Sequence, residues 1–295
     1  MNLLERVRAA RAWDRSKFTR FFAAGVPLGW IRRDQIAHLA HFPRVFRIAD
    51  DAVTLAEEYR DCAARTRALA AAVSALAAQG HISGWRDETY AVAEHFGDPP
   101  LFHLERAAVR MFGLTSYAVH VNGVVGAGDG CRMWIARRSP AKPIDPGLLD
   151  NLIGGGLASG LSVEHTLAKE GWEEAGLERA HMLRARRAGS VRLLREVPEG
   201  LQSEVIFTHD LELPADFIPT NQDGEVAEFR LLPLADVCAM LKTGGEFTLD
   251  ASLVILEFLL RRGYIDREEP NYAELTSAFA EKRRYRSAGD GSVRN

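Results

Sequence analysis

The rhythm of apolar and polar positions changes several times along these 295 residues. FFAAGVPLGWIRR reads as two short strands around a Gly-Val-Pro turn, followed by a charged helix from Arg32. The Ala-rich run Cys62–Ala78 has helix composition and ends at Gly80. Gly97-Asp98-Pro99-Pro100 interrupts helix and strand alike and sets a boundary, so residues 1–98 are expected to form a small α/β domain. Beyond it, LERAAVRMFG reads as a helix closed by Gly113, YAVHVNG alternates as a strand, and RMWIARRS gives another. LLDNLIGGGLASG reads as a loop leading to a helix capped by Ser162, with Glu164 in its first turn and Gly176 at its end. Three strand-like runs follow, HMLRARRAGSVRLL, SEVIFTHDLEL and VAEFRLLPL. Helices Leu234–Lys242 and Asp250–Arg262 then complete a second domain, 99–265. Residues 266–295 are polar, with a short helix near Tyr272–Arg284 and a frayed SAGDGSVRN end.

Composition narrows the function classes. An apolar fraction of 47% with 26% charged residues suits a packed globular core and excludes disorder as the main state. The net charge of −3, with both signs interspersed, argues against a nucleic-acid partner. Cys62, Cys131 and Cys238 form no Cys-x-x-Cys pair, which speaks against a thiolate zinc site or disulfide framework and for a reducing compartment. The amino-terminal run is interrupted by Glu5, Arg6, Arg8 and Arg11, and no later apolar run is long enough to cross a bilayer. A cytoplasmic protein without a membrane partner is expected.

The chemistry concentrates between Gly154 and Leu177. At about 100° per residue, Glu170, Glu173 and Glu174 share one arc of a helix, beside an apolar arc of Val163, Leu167, Ala168, Gly171 and Ala175. Like charges at i,i+4 destabilise a helix by a few tenths of a kcal/mol, so a cation is needed beside them. A hard divalent ion with oxygen ligands meets that need and would bridge carboxylates to phosphate. The glycines before the helix, Gly155 and Gly156 among them, permit a tight turn that brings backbone N–H groups to an anion. Three glutamates alone would better suit a solvated acidic face.

Taken together, these residues resemble the Nudix box. Gly155 holds its first glycine position, Glu170, Glu173 and Glu174 its helical glutamates, Gly176 its late glycine and Leu177 its last apolar position. Leu161 replaces the first glutamate, Lys169 the arginine and Gly171 an apolar residue. Lysine keeps the charge but loses the planar fork. SYAVHVNG, DLELPADFIPTNQDGEVAEFRLLPL and LVILEFLLRRGYI are similar to the Nudix proteins related to thiamine pyrophosphokinase. FFAAGVPLGWIRR and GHISGWRDETYAV resemble the DUF4743-like amino-terminal domain that accompanies them.

The resemblance implies an α/β/α sandwich with a mixed sheet, preceded by a small α/β domain. It also implies Mg²⁺ or Mn²⁺ on Glu170, Glu173 and Glu174. The implied activity is hydrolysis of thiamine diphosphate, or its oxidised analogues, to the monophosphate and phosphate. The alternatives are a pyrophosphatase of the ADP-ribose or NADH type, or a Nudix-fold binding module without turnover. The expected partner is a small-molecule diphosphate, and a homodimer is left open.

Glu225 and Glu228 follow a Pro-Thr-Asn turn. They join Glu173 as catalytic candidates, to complete the metal site or serve as base, although either suits a strand edge. Arg137, Arg138 and Lys142 are candidates to neutralise the diphosphate, against the reading of a solvated basic edge. Trp85 and Arg86 read as core packing with a surface ion pair rather than as a substrate platform. No His-Glu-x-x-His pair occurs, so His120 and His165 read as structural or solvated. Ser159 interrupts any Gly-x-Gly-x-x-Gly, which argues against a Rossmann site, and no cysteine stands where isomerisation of a prenyl diphosphate would want one.

Overall fold

A computed structural model describes residues 2–280. The chain opens with helix α1 (Leu3–Ala9), closed by a reciprocal capping box between Asn2 and Glu5. A four-stranded sheet follows: β1 (Phe18–Ala23) pairs with β2 (Val26–Arg32), β3 (Phe46–Ile48) pairs with β4 (Ala52–Leu55), and β1 runs parallel to β4. The first hairpin turns on Ala24 and Gly25, with φ of 52° and 76°, rather than on Gly-Val-Pro; Val26 and Pro27 already pair within β2. A two-residue hairpin needs positive φ at both central positions, which proline cannot supply.

The helix expected from Arg32 shrinks to a 3-10 turn, Arg33–Gln35, and one turn of α2 (Ile36–Leu39), after which Pro43 blocks extension. The Ala-rich α3 (Cys62–Ala78) covers this sheet with Leu69, Ala72, Val73 and Leu76, spaced along one helix face. Residues 104–113 form no helix. Phe102 and Leu104 alternate into the core along β6 (Phe102–Glu105), which pairs with β5 (Thr89–Val92), and a single 3-10 turn, Arg106–Ala108, follows.

A seven-stranded sheet forms the rest of the molecule. Its path is β11 (Arg186–Val197), β12 (Gly200–Glu212), β7 (Thr115–Val125), β8 (Arg132–Arg138) and β13 (Val226–Pro233). β9 (Leu149–Asp150) pairs with β8, and β10 (Ile153–Gly156) with β7. Only β12 and β7 run parallel in it, so the sheet is mixed. The expected loop at 148–160 therefore holds two strands, with Gly154–Gly156 extended rather than turned. Helices α4 (Val163–Ala175) and α5 (Arg179–Met182) cover one face. Helices α6 (Leu234–Thr243), α7 (Leu249–Arg261) and α8 (Tyr272–Ala280) cover the other with α1, giving the α/β/α sandwich. The Tyr272–Arg284 helix is seen to Ala280; its last turn and the SAGDGSVRN end lie outside the described residues.

Packing crosses the division at residue 98 in two places. Phe102 to Leu114 belong to the apolar cluster of the first sheet, while Leu3, Leu4, Val7 and Ala10 lie in the cluster under α7. Among the described residues no helix is long and apolar enough to cross a membrane.

Candidate active site

The glutamate helix α4 is fixed at both ends. Ser162 accepts a hydrogen bond from the His165 N–H at 3.1 Å, and Gly176 closes the last turn at φ 67°, a conformation costly for any residue with a Cβ. Leu167, Gly171 and Ala175 face the sheet, and Glu174 is carried inward with them. Its carboxylate accepts the Gly154 N–H at 2.7 Å. Glu170 lies across Gly155, where a Cβ would collide with its Cγ and Cδ. The glycines thus make β10 a flat floor on which carboxylates rest, and the Gly154 N–H is spent on Glu174 rather than on a ligand anion.

A cleft of about 370 Å³ opens above this floor. Nine carboxylates line it: Glu170 and Glu173 from α4, Asp150, Glu204 and Asp250 from the sheet side, and Glu88, Asp145, Asp223 and Glu225 from the rim. Six cations face them, Arg86, Arg106, Arg110, Arg138, Lys142 and Lys169. Burial, reinforced by the neighbouring charge of Glu170, pushes Glu174 up to about 8, and burial also raises Glu170. Asp250, half-buried at the start of α7, is pushed up to about 7 by desolvation and then by Glu204. Lys142 is lowered chiefly by burial, with Arg138 and Arg86 acting in the same direction against the opposing pull of Glu174 and Asp150.

This donor set fits a hard divalent cation. It is all oxygen, it includes a carboxylate buried against the sheet, and ionising that carboxylate requires positive charge close by. Lys142 supplies part of it, while Lys169 bridges the neighbouring Glu170 at 3.1 Å and Glu173 at 2.6 Å. Among the described residues no three His, Cys, Asp or Glu side chains already converge on one point. The charge demand of the buried pair, more than a finished cage, is what makes the fit.

Of the residues expected from sequence, Glu170, Glu173, Glu225, Arg138, Lys142, Gly155 and Gly156 line the cleft, and Glu174 lies beneath it. Glu225 and Lys142 form an ion pair on its wall. Arg138 bonds Asp150 at 2.9 Å and the Ile144 carbonyl. Two candidates fall elsewhere. Glu228 and Arg137 pair with each other at 3.2 Å on the outer edge, Arg137 also binding the Gly147 carbonyl and Glu228 also binding Arg230. They face each other across the β13–β8 ladder, so the strand register sends both away from the cleft.

Trp85 is not core: it stands exposed with its indole N–H on Asp87, while Arg86 reaches the cleft. His120 is buried at the cleft wall, 2.8 Å from Asn151, whose amide continues to Asn122. His165 is exposed. Sequence reasoning missed Arg106 and Arg110, whose segment read as a helix, and Glu88, whose segment read only as part of the amino-terminal domain. It also missed Glu204 and Asp250, which come together at the cleft only through the order of the strands.

A mixed-sheet sandwich with a glutamate helix across a glycine strand and a carboxylate-rich, cation-rimmed cleft is the architecture of a hydrolase of phosphoric anhydrides. The NUDIX domain model matches residues 116–251, and a domain of unknown function, DUF4743, matches residues 1–116. The chain is 40% identical over 257 residues to Nudix hydrolase 20, chloroplastic, of Arabidopsis thaliana, covering 84% of this chain and 69% of that one. It is 41% identical over 250 residues to Nudix hydrolase 24, chloroplastic, of the same plant, covering 84% and 68%. Among solved structures, a MutT protein from Methanosarcina mazei Go1 is similar at 19% identity and a TM-score of 0.39, over 52% of this chain and 96% of that one. The chain belongs to the Nudix hydrolase family, whose members generally use divalent metals.

Proposed function

We propose that the cleft hydrolyses a small organic diphosphate with Mg²⁺ or Mn²⁺ held by Glu170, Glu173 and Glu174, and that thiamine diphosphate and its oxidised analogues are preferred. The observation that carries the metal and phosphate chemistry is the buried Glu174 beside Glu170, directly under a rim of arginine and lysine. The bound ion would polarise the phosphoryl oxygens and acidify the attacking water. Arg138 and Lys142 would hold the substrate anion, and β10 would keep the carboxylates in register beneath it. Glu225, the cleft-lining member of the two later candidates and paired with Lys142, would accept the water's proton once a phosphate draws Lys142 away from it.

The thiamine preference rests on the resemblance of segments in both halves of the chain, including the amino-terminal ones that reach the cleft. Product formation, read as inorganic phosphate and the monophosphate from thiamine diphosphate and its oxidised forms and as two phosphomonoesters from ADP-ribose and NADH, each with and without Mg²⁺, tests the reading. Metal-dependent turnover with the highest kcat/KM on a thiamine derivative is the expected result. A higher value on ADP-ribose transfers the substrate to the nucleotide class, and binding without turnover makes the chain a binding module.

A further inference from the structure

The cleft is not built by the Nudix sheet alone. Tyr90 on β5 packs its hydroxyl onto Gly156, where a Cβ would collide with it, so the β5–β6 hairpin is seated directly on the glycine strand. Arg106, in the 3-10 turn after β6, rides on this contact. Its guanidinium lies over the Tyr90 ring, 5.5 Å from the centroid, and its Nη1 donates to Glu88 at 2.7 Å. Its Nη2 lies 3.5 Å from where a Cβ on Gly156 would stand, one residue along β10 from the Gly155 that supports Glu170. Among the described residues neither Nη2 nor Nε donates to a protein acceptor. A guanidinium oriented by a carboxylate and a ring, with donors left over at the floor of a cleft, matches the planar recognition of phosphate oxygens.

Resting on the diphosphate reading above, we infer that Arg106 is a substrate-phosphate-binding residue supplied by the amino-terminal region, held in place by Glu88 and Tyr90. Arg86 and Arg110, also from the amino-terminal region, line the same cleft as Arg138, Lys142 and Lys169. A diphosphate in the cleft is therefore gripped from both halves of the chain, and the region before residue 116 is part of the active site rather than an appendage.

The test is calorimetric binding of methylenediphosphonate, which cannot be hydrolysed, to the full chain with and without Mg²⁺, alongside Mg²⁺ titration alone. Arg106→Gln should weaken phosphonate binding about 10- to 100-fold, while Mg²⁺ affinity and the melting temperature stay near those of the parent. Arg106→Lys, which keeps the ion pair with Glu88 but loses the fork, should bind several-fold more weakly than the parent. It decides the matter if the Gln variant does not fold. Parent-like phosphonate affinity in the folded variant overturns the role of Arg106 and leaves the hydrolase reading standing. If the parent itself neither binds the phosphonate nor turns over any diphosphate of the panel, the hydrolase reading falls and the inference with it.

Discussion

At the scale of single residues, register and burial separate groups that are equivalent in sequence. Glu225 and Glu228 are three positions apart, yet one lines the cleft and the other sits between Arg137 and Arg230 on the outer edge. Hydrogen bonds from Arg230 and Arg137 hold the Glu228 carboxyl below its usual range, which makes it a poor proton acceptor. Glu225→Gln is accordingly expected to lower kcat and kcat/KM together by about 100-fold, with Mg²⁺ affinity retained, whereas Glu228→Gln leaves both rate constants near those of the parent. Steady-state kinetics across a Mg²⁺ titration check this, and a slow Glu228 variant would return that residue to the mechanism.

A second residue gives a pH signature away from the metal site. His209 on β12 is buried, and desolvation pushes it down to about 4 although its Nδ1 meets the Phe207 carbonyl at 3.2 Å. A folded-state value below the unfolded one means that the unfolded chain binds the extra proton. The stabilisation is present above the unfolded value near 6.5 and is lost as pH falls toward 4. Comparing denaturation of the parent and His209→Gln from pH 7 to pH 4 should show the parent losing about 3 kcal/mol more than the variant. Parallel curves would show that His209 titrates as it does in the unfolded chain.

At the scale of elements, what was legible followed from local rules. Cys62–Ala78 is a helix because it is Ala-rich, capped by Asp61 and apolar along one face. The glutamate helix is bounded by Ser162 and Gly176 as its signals indicate. Residues 104–113 misled because LERAAV has helix propensity while tertiary pairing with Tyr90 claims Leu104 for a strand. The glycine run misled in the same way: three glycines suggest a turn, but here they are flat positions in a pairing strand, required because side chains from α4 and β5 lie on them. Which acids face the cleft was illegible for Glu204 and Asp250, since their convergence depends on sheet order.

The glycine strand allows a direct test. A methyl at position 155 would meet the Glu170 side chain, which is confined by α4 and cannot swing clear without leaving the cleft floor. Gly155→Ala should cost about 1–3 kcal/mol of stability and weaken Mg²⁺ binding, with the loss of metal affinity reporting displacement of Glu170. Unaltered Mg²⁺ affinity in a folded Gly155→Ala protein would mean that Glu170 does not depend on this floor.

At the scale of the whole molecule, the first dozen residues belong to the catalytic half. Leu3, Leu4, Val7 and Ala10 are buried under α7 and α8. Arg6, buried with them, donates to the Leu241 carbonyl at 2.7 Å and to Ser252 Oγ at 2.8 Å, tying the end of α6 to α7. The backbone then runs beside β11, the edge of the seven-stranded sheet, where the Leu194 and Glu196 N–H groups donate to the carbonyls of Ala10 and Ala12. An uncovered edge strand offers unpaired N–H groups to another chain, so this segment both completes a core and closes an edge. Deleting residues 1–12 should therefore lower the melting temperature by roughly 10 °C or more, since several buried apolar side chains at about 1.5–3 kcal/mol each are lost. The shortened protein should also aggregate at concentrations where the parent stays dispersed. Arg6→Met, which fills the same space without the hydrogen bonds, isolates the core contribution from the edge: its melting temperature should fall less and its light scattering should stay low. Equal aggregation of the two variants would assign the effect to core loss alone, and a deletion with unchanged melting would detach the amino-terminal helix from the catalytic fold.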